Sequence, residues 1–156
     1  MTIKKINYAH MKAAEAYAEL SHARRLKVGA IVTKDNRVIS IGYNGTPAGW
    51  DNNCEIEVRN EFEYYVDQGG EKYNGATIDL LTKDEVIHAE ANAIGKLARS
   101  SESGEGATMY ITHAPCFACA KMIHIAGINK VLYRNEYRDT EGIEFLNKCN
   151  IEVEQI

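Results

Sequence analysis

The chain has 156 residues, of which 45% are hydrophobic and 26% charged, and carries a formal net charge of −4. That length suits one domain able to bury its own core, and the composition is that of a globular protein rather than a low-complexity or repeat protein. The acidic balance argues against coating nucleic acid, which needs a basic face, and no run of about 18 apolar residues is present to span a bilayer.

The N-terminus, MTIKKINYAHMKAAEAYAEL, has two lysines but neither an apolar signal segment nor a cleavage motif, so a cytoplasmic location is expected. Residues 7–25, rich in Ala, Glu, Leu, Met and Lys, predict a first amphipathic helix. VGAIVT (28–33) and RVISIGY (37–43) are β-branched runs that predict a hairpin. GYNGTPAGWDNN (42–53) has the Gly, Asn, Asp and Pro content of a long ordered loop. Residues 55–83 are polar and hard to type: 57–66, EVRNEFEYYV, reads as a helix candidate, and 67–76, DQGGEKYNGA, breaks the pattern. The stretch at about 51–84 is too short for its own core and is expected to be an insertion within a single domain spanning 1–156.

A second helix is expected over 84–99, with Ile87, Ala91, Ile94 and Ala98 at helical spacing. ATMYIT (107–112) predicts a strand, 117–126 a third helix, KVLYR (130–134) a strand, GIEFLNKC (142–149) a last helix and IEVEQ (151–155) a short strand. Alternating helices and strands after the hairpin predict parallel pairing. The fold class expected is α/β: a three-layer α/β/α sandwich around a mixed sheet of about five strands.

Four cysteines in a reducing compartment make a poor disulfide framework. Cys54 and Cys149 stand alone and read as free thiols, but Cys116 and Cys119 form a C-x-x-C pair after Pro115. That pair by itself is equally compatible with redox chemistry or half of a structural zinc site. A helix beginning after Pro115 would hold both sulfurs near the positive end of its dipole, which favours the thiolate. His88 supplies a third donor, and two Cys with one His leave a fourth zinc position open for water. Glu90, two residues on, is better placed beside that water than on the metal, where a carboxylate can move protons. H-x-E followed by P-C-x-x-C is the signature of zinc nucleobase deaminases. His113 is as compatible with a pocket wall as with a core or surface role; His10, His22 and His124 have no assignment.

On these motifs the sequence resembles the cytidine deaminase superfamily, and within it the deoxycytidylate (dCMP) deaminases of phage and bacteria. The resemblance is carried by KVGAIV, GYNGTPAG, IHAEANAI, GATMYITHAPCFACAKMIHIAGI and KVLY, which cover most of the chain. It implies hydrolytic conversion of dCMP to dUMP and ammonia, with His88, Cys116 and Cys119 as zinc ligands and Glu90 as proton shuttle. The backbone of the Pro115–Cys116 turn would hold the tetrahedral intermediate. It further implies that Tyr43, Asn44 and Gly45 belong to a nucleotide-handling loop and that Asn92 reaches sugar or phosphate. Homo-oligomers, often hexamers, are implied too, with dCTP as activator, dTTP as inhibitor and Mg2+ accompanying the triphosphate. One zinc per chain is expected, because Cys54 is the sole cysteine before residue 116 and residues 55–87 contain no histidine.

A monophosphate substrate needs cations, for which Arg24, Arg25, Lys27 and Arg99 are candidates. Tyr133 or Tyr137 would stack or hydrogen-bond near the site, although Tyr133 fits a core position equally well. Two alternatives compete. A tRNA adenosine deaminase shares the zinc motif but calls for a basic RNA face; a non-catalytic zinc-stabilised module would have no use for Glu90.

Overall fold

Two β-branched runs meet at Asp35 and Asn36, both with positive φ (51° and 59°), the two-residue turn whose twist matches flanking strands. They form β1 (Gly29–Lys34) and β2 (Arg37–Tyr43) behind helix α1 (Ile3–Ala18). The computed structural model describes residues 3–65 and 72–156. The remaining elements are β3 (Glu55–Tyr65), β4 (Lys72–Thr82), α2 (Ala89–Ala98), β5 (Thr108–His113), α3 (Phe117–Ile125), β6 (Lys130–Asn135), α4 (Glu141–Lys148) and β7 (Glu152–Gln155).

Five strands make the central sheet in the order β2-β1-β5-β6-β7. β1 runs antiparallel to both β2 and β5, whereas β5, β6 and β7 are parallel, so the sheet is mixed as expected. Alternation along the strands divides the core into two layers. Ile31, Tyr110 and Leu132 point to α1, where they meet Met11 and Ala14. Ala30, Val32, Met109, Ile111 and Val131 point the other way, against Ala89 and Ala93 of α2, Ala120 and Ile123 of α3 and Leu146 of α4. Each fully buried Ile, Leu or Met contributes roughly 1.5–3 kcal/mol, and burial on both faces explains why the three-layer architecture forms.

The structure corrects the sequence reading at four places. Residues 57–65 are not helical: they lie in β3, paired antiparallel with β4 in a separate two-stranded sheet. Their apolar residues Ile56, Val58, Phe62 and Tyr64 alternate with Glu57, Arg59, Glu61 and Glu63, a period of two that excludes a helical face. The expected pattern break at 67–76 falls partly on residues 66–71, outside the described residues; from Lys72 the chain is strand. α1 begins and ends earlier than expected; beyond its end the Ser21 hydroxyl donates to the Asn44 carbonyl at 2.7 Å. α2 starts at Ala89 rather than Asp84, because Ile87 is held extended by a two-way backbone bridge to Gly45.

Gly42 sets the approach of α2 to the sheet. A Cβ there would strike the carbonyl of Ala89, so only glycine lets the first turn of α2 lie directly on β2. Ser40 completes the seam by donating to the Ala93 carbonyl at 2.7 Å.

Candidate active site

His88 and Cys116 are the N-cap residues of α2 and α3, with extended backbone and side chains that do not cap their own helices. The two helix starts converge, which brings the imidazole within reach of both sulfurs. Nδ1 of His88 lies 3.7 Å from Sγ of Cys116 and 3.4 Å from Sγ of Cys119. The three donor atoms fall within 4.8 Å of one another. Tetrahedral zinc, with N at about 2.0 Å and S at about 2.3 Å, separates its N and S ligands by about 3.6 Å. The donors therefore stand at coordination spacing, and their chemistry fits zinc.

The charges agree with the spacing. The Cys116 thiol is drawn down to about 3, first by its hydrogen bond with Cys119 and then by His88. Cys119 is pushed up by the same contact and by burial, while hydrogen bonding to Cys116 raises His88. A thiol held down in this way favours the thiolate, the form that binds a divalent cation. Glu90, in the first turn of α2, is buried, and loss of solvation lifts its carboxyl to about 7. A carboxyl poised there accepts and returns protons near neutrality.

α4 supports this arrangement from behind. Gly142 packs so closely on the Pro115 carbonyl that a Cβ would overlap it. Pro115 is itself fully buried, so the turn leading into Cys116 is clamped between β5 and α4.

A cavity of about 530 Å³ opens beside the cluster, with His88, Glu90 and Cys116 in its wall. Of the other residues predicted from sequence, Arg25, Asn44, His113 and Tyr137 line it. The Asn44 side chain is occupied by backbone: it accepts from the Val28 N–H and donates to the Leu26 carbonyl, both at 2.8 Å, and so shapes the rim. Tyr43, Gly45, Lys27, Asn92, Arg99, Pro115 and Tyr133 stand outside the cavity wall. Asn92 donates to the Tyr43 carbonyl at 2.9 Å, binding α2 to the end of β2. The Tyr43 ring lies under the Lys96 ammonium, Lys27 pairs with Glu19 at 3.3 Å, and Tyr133 is buried in β6. Arg99 is exposed at the end of α2. His10 packs against Tyr110 and His124 against Phe145; Cys54 is buried and Cys149 half-buried, both free thiols.

Among the wall residues not found from sequence are Arg138 and Glu55. Arg138 follows the carboxyl end of β6, where sites of α/β sheets gather, and that position was the available signal. Glu55 gave none. It is buried at the root of β3, and one oxygen accepts the N–H groups of Arg24 at 2.9 Å and Arg25 at 3.0 Å. Arg24 turns outward to Glu57 at 2.7 Å, leaving Arg25 as the cation of that pair in the cavity wall.

Residues 4–135 match the family described as the cytidine and deoxycytidylate deaminase zinc-binding region. The chain belongs to that family. A deoxycytidylate deaminase of Mycobacterium phage D29 is 41% identical over 123 residues, covering 79% of this chain and 89% of that one. Another, of Enterobacteria phage T4, is 39% identical over 150 residues, covering 81% and 77%. The structure of the dCMP deaminase of cyanophage S-TIM5 in complex with dCMP and dUMP superimposes with a TM-score of 0.81 at 41% identity, covering 100% of both chains. The three-layer fold is thus that of a deaminase enzyme, and the His88–Cys116–Cys119 cluster lies within the region that matches the zinc-binding family.

Proposed function

We propose that this enzyme converts dCMP and water to dUMP and ammonia. The observation that carries the reading is one cavity wall that joins His88 and Cys116 of the zinc-type donor set with the buried Glu90 carboxyl and the Arg25 cation. Similarity to a cyanophage enzyme solved with dCMP and dUMP supports the choice of substrate.

His88, Cys116 and Cys119 would hold the zinc ion, one per chain, which supplies Lewis acidity that brings water ionisation towards neutral pH. Glu90 takes the proton released by water as its oxygen bonds to C4 of the cytosine ring. It passes that proton to N3, then takes the proton of the new C4 hydroxyl and gives it to the exocyclic amine as the C4–N bond breaks, so that C4 becomes a carbonyl, ammonia leaves and Glu90 returns to its starting state. Unpaired N–H groups at the start of α3, beyond the Pro115–Cys116 turn, favour the negative charge that develops nearby. Arg25 and Arg138, which both line the cavity, answer the 5′-phosphate. Asn44, Gly45, Tyr43 and Asn92 act at one remove, by fixing the rim and the approach of α2.

The reading includes a homo-oligomer, a hexamer by resemblance, activated by dCTP with Mg2+ and inhibited by dTTP. It treats the chain as one deaminase unit with residues 51–84 inserted, working in the cytoplasm; four free cysteines accord with that compartment. The test is ammonia release from dCMP, dCTP, deoxycytidine and CMP, each with and without added dCTP or dTTP. Preference for dCMP is expected, and equal turnover of deoxycytidine would remove the phosphate from the reading. Deamination of a tRNA anticodon stem-loop in place of dCMP would overturn it.

A further inference from the structure

Thr112 and His113 end β5, just before the turn that carries Cys116, and form a hydrogen-bonded pair that the deamination chemistry does not use. Thr112 is only 4% exposed, and its hydroxyl accepts the Gly29 N–H at 3.1 Å. Gly29 lies one place beyond the last register pair of β1 and β5, Ala30–Ile111, so the hydroxyl takes over where the backbone ladder stops. A Cβ on Gly29 would strike the Ala14 carbonyl, and this close approach fixes the start of β1 against α1. The same Thr112 oxygen stands 3.1 Å from Nδ1 of His113.

Only one arrangement of protons uses every donor of the pair. A hydroxyl has one proton to give, and a neutral imidazole has one N–H and one acceptor nitrogen. With the ring proton on Nδ1, Oγ1 would accept from both His113 and Gly29, and the buried hydroxyl proton would have no acceptor among the described residues. With Thr112 donating to Nδ1, the ring proton sits on Nε2. Burial holds the His113 imidazole below its usual pKa, which keeps the ring uncharged near neutral pH. His113 is half-buried in the cavity wall, and among the described residues its Nε2 is neither enclosed nor paired, unlike the enclosed Nε2 of His10. Arg25 and Arg138 already supply cations to that wall, so an uncharged N–H adds a different kind of recognition.

We propose that Thr112 fixes His113 as the Nε2–H tautomer, and that this N–H donates to an uncharged oxygen of the bound nucleotide, the pyrimidine C2 carbonyl or the sugar 3′-hydroxyl. The inference deepens the dCMP reading and rests on it. His113 touches the substrate, and Thr112 is a positioning residue that acts through it. A few placed polar groups fix how a ligand lies in a largely apolar cavity. A donor on the strand that leads into Cys116 thereby helps to turn C4 of the base towards the donor cluster.

Histidine nitrogen NMR of the zinc-loaded wild type, with His113→Gln to assign the resonances, should show Nε2 protonated and Nδ1 bare. Thr112→Val should lose that preference and Thr112→Ser should keep it; an unchanged tautomer in Thr112→Val would remove Thr112 from the proposal. A wild type with the His113 proton on Nδ1 would overturn it outright, whether or not any variant folds. In steady-state ammonia release, His113→Phe keeps a ring and drops the donor, and kcat/KM for dCMP should fall about tenfold. His113→Gln, which places an N–H near Nε2, should recover most of that loss. Equal losses in both variants, or none in His113→Phe, would overturn the contact. The loss should shrink towards unity with 2-thio-dCMP if the C2 carbonyl is the acceptor, or with 2′,3′-dideoxycytidine 5′-monophosphate if the 3′-hydroxyl is, each used as substrate or as competitor of dCMP. A full loss with both analogues would put the acceptor elsewhere and overturn the assignment. Failure of the wild type to deaminate dCMP would instead overturn the dCMP reading and the ligand named here, with the tautomer still decided by NMR.

Discussion

Replacing Gly142 with alanine perturbs the cysteine pair from the far side of α4, without touching any donor atom. The added Cβ would overlap the Pro115 carbonyl oxygen and stand 2.9 Å from its carbon and 3.0 Å from the carbonyl carbon of Cys116. Backbone on both sides leaves no flexible side chain to yield, so α4 or the Pro115–Cys116 turn must shift, by about an ångström in a close-packed interior. Overpacking of this kind costs about 1–3 kcal/mol, which for a chain of this size lowers Tm by roughly 2–12 °C. Displacing the N-cap Cys116 also loosens the donor spacing, and loss of outer support typically weakens metal binding about 10–100-fold. Thermal unfolding with and without chelator, together with zinc competition against a chromophoric chelator, reads both effects. Gly95→Ala is the control: a Cβ there meets nothing within 4 Å. In the middle of α2 it should stabilise by about 0.5–1 kcal/mol. If Gly142→Ala matched wild type in Tm and zinc affinity, the clamp on the Cys116 turn would be refuted.

Glu90→Gln keeps size and should retain one zinc per chain by metal analysis, while kcat falls about 10²–10⁴-fold; near-native turnover would end the proton-shuttle role. Glu55→Ala strips the acceptor from two N–H groups and should raise KM for dCMP far more than it lowers kcat, at a stability cost of about 1–3 kcal/mol. Glu55→Gln, which keeps one acceptor oxygen, should recover most of both, and steady-state kinetics with urea unfolding decides. The Glu15 carboxyl is held below its usual range, first by the hydrogen bond from Lys12 and also by Arg134. With the folded value below the unfolded one, its contribution is complete above about pH 4.3 and fades as pH falls through the folded value. Glu15→Gln should therefore reduce the loss of Tm below that pH, and an unchanged acid limb would show the pairing to be without thermodynamic weight.

The site was legible where chemistry is local. His88 and Glu90 lie two residues apart, Cys116 and Cys119 three, and each pair opens a helix, so the two motifs together gave the expectation of a metal centre, and the structure brings His88, Cys116 and Cys119 within 4.8 Å of one another. β5, α3, β6 and α4 follow their propensities closely, because each contributes buried apolar residues to one core cluster. The cations were not legible. Arg24 and Arg25 are neighbours of the same type that both donate their backbone N–H to Glu55, and only the folded chain shows Arg24 paired with Glu57 and Arg25 in the cavity wall. The β3–β4 ribbon was misread because Glu, Arg and Asn occur in both helices and strands, although the alternation of apolar and charged residues in β3 already excludes a helical face.

From residue types and spacing alone came the alternating elements, the mixed sheet and the soft donor set, since these depend on periodicities and ligand preferences that act within a few residues. The tertiary structure alone settled which cation reaches the cavity, that Asn44 spends its side chain on the Val28 loop, and that α2 begins at Ala89 after the Gly45–Ile87 bridge. Those outcomes follow from contacts between residues 16 to 42 positions apart, where packing and hydrogen-bond competition outweigh local preference.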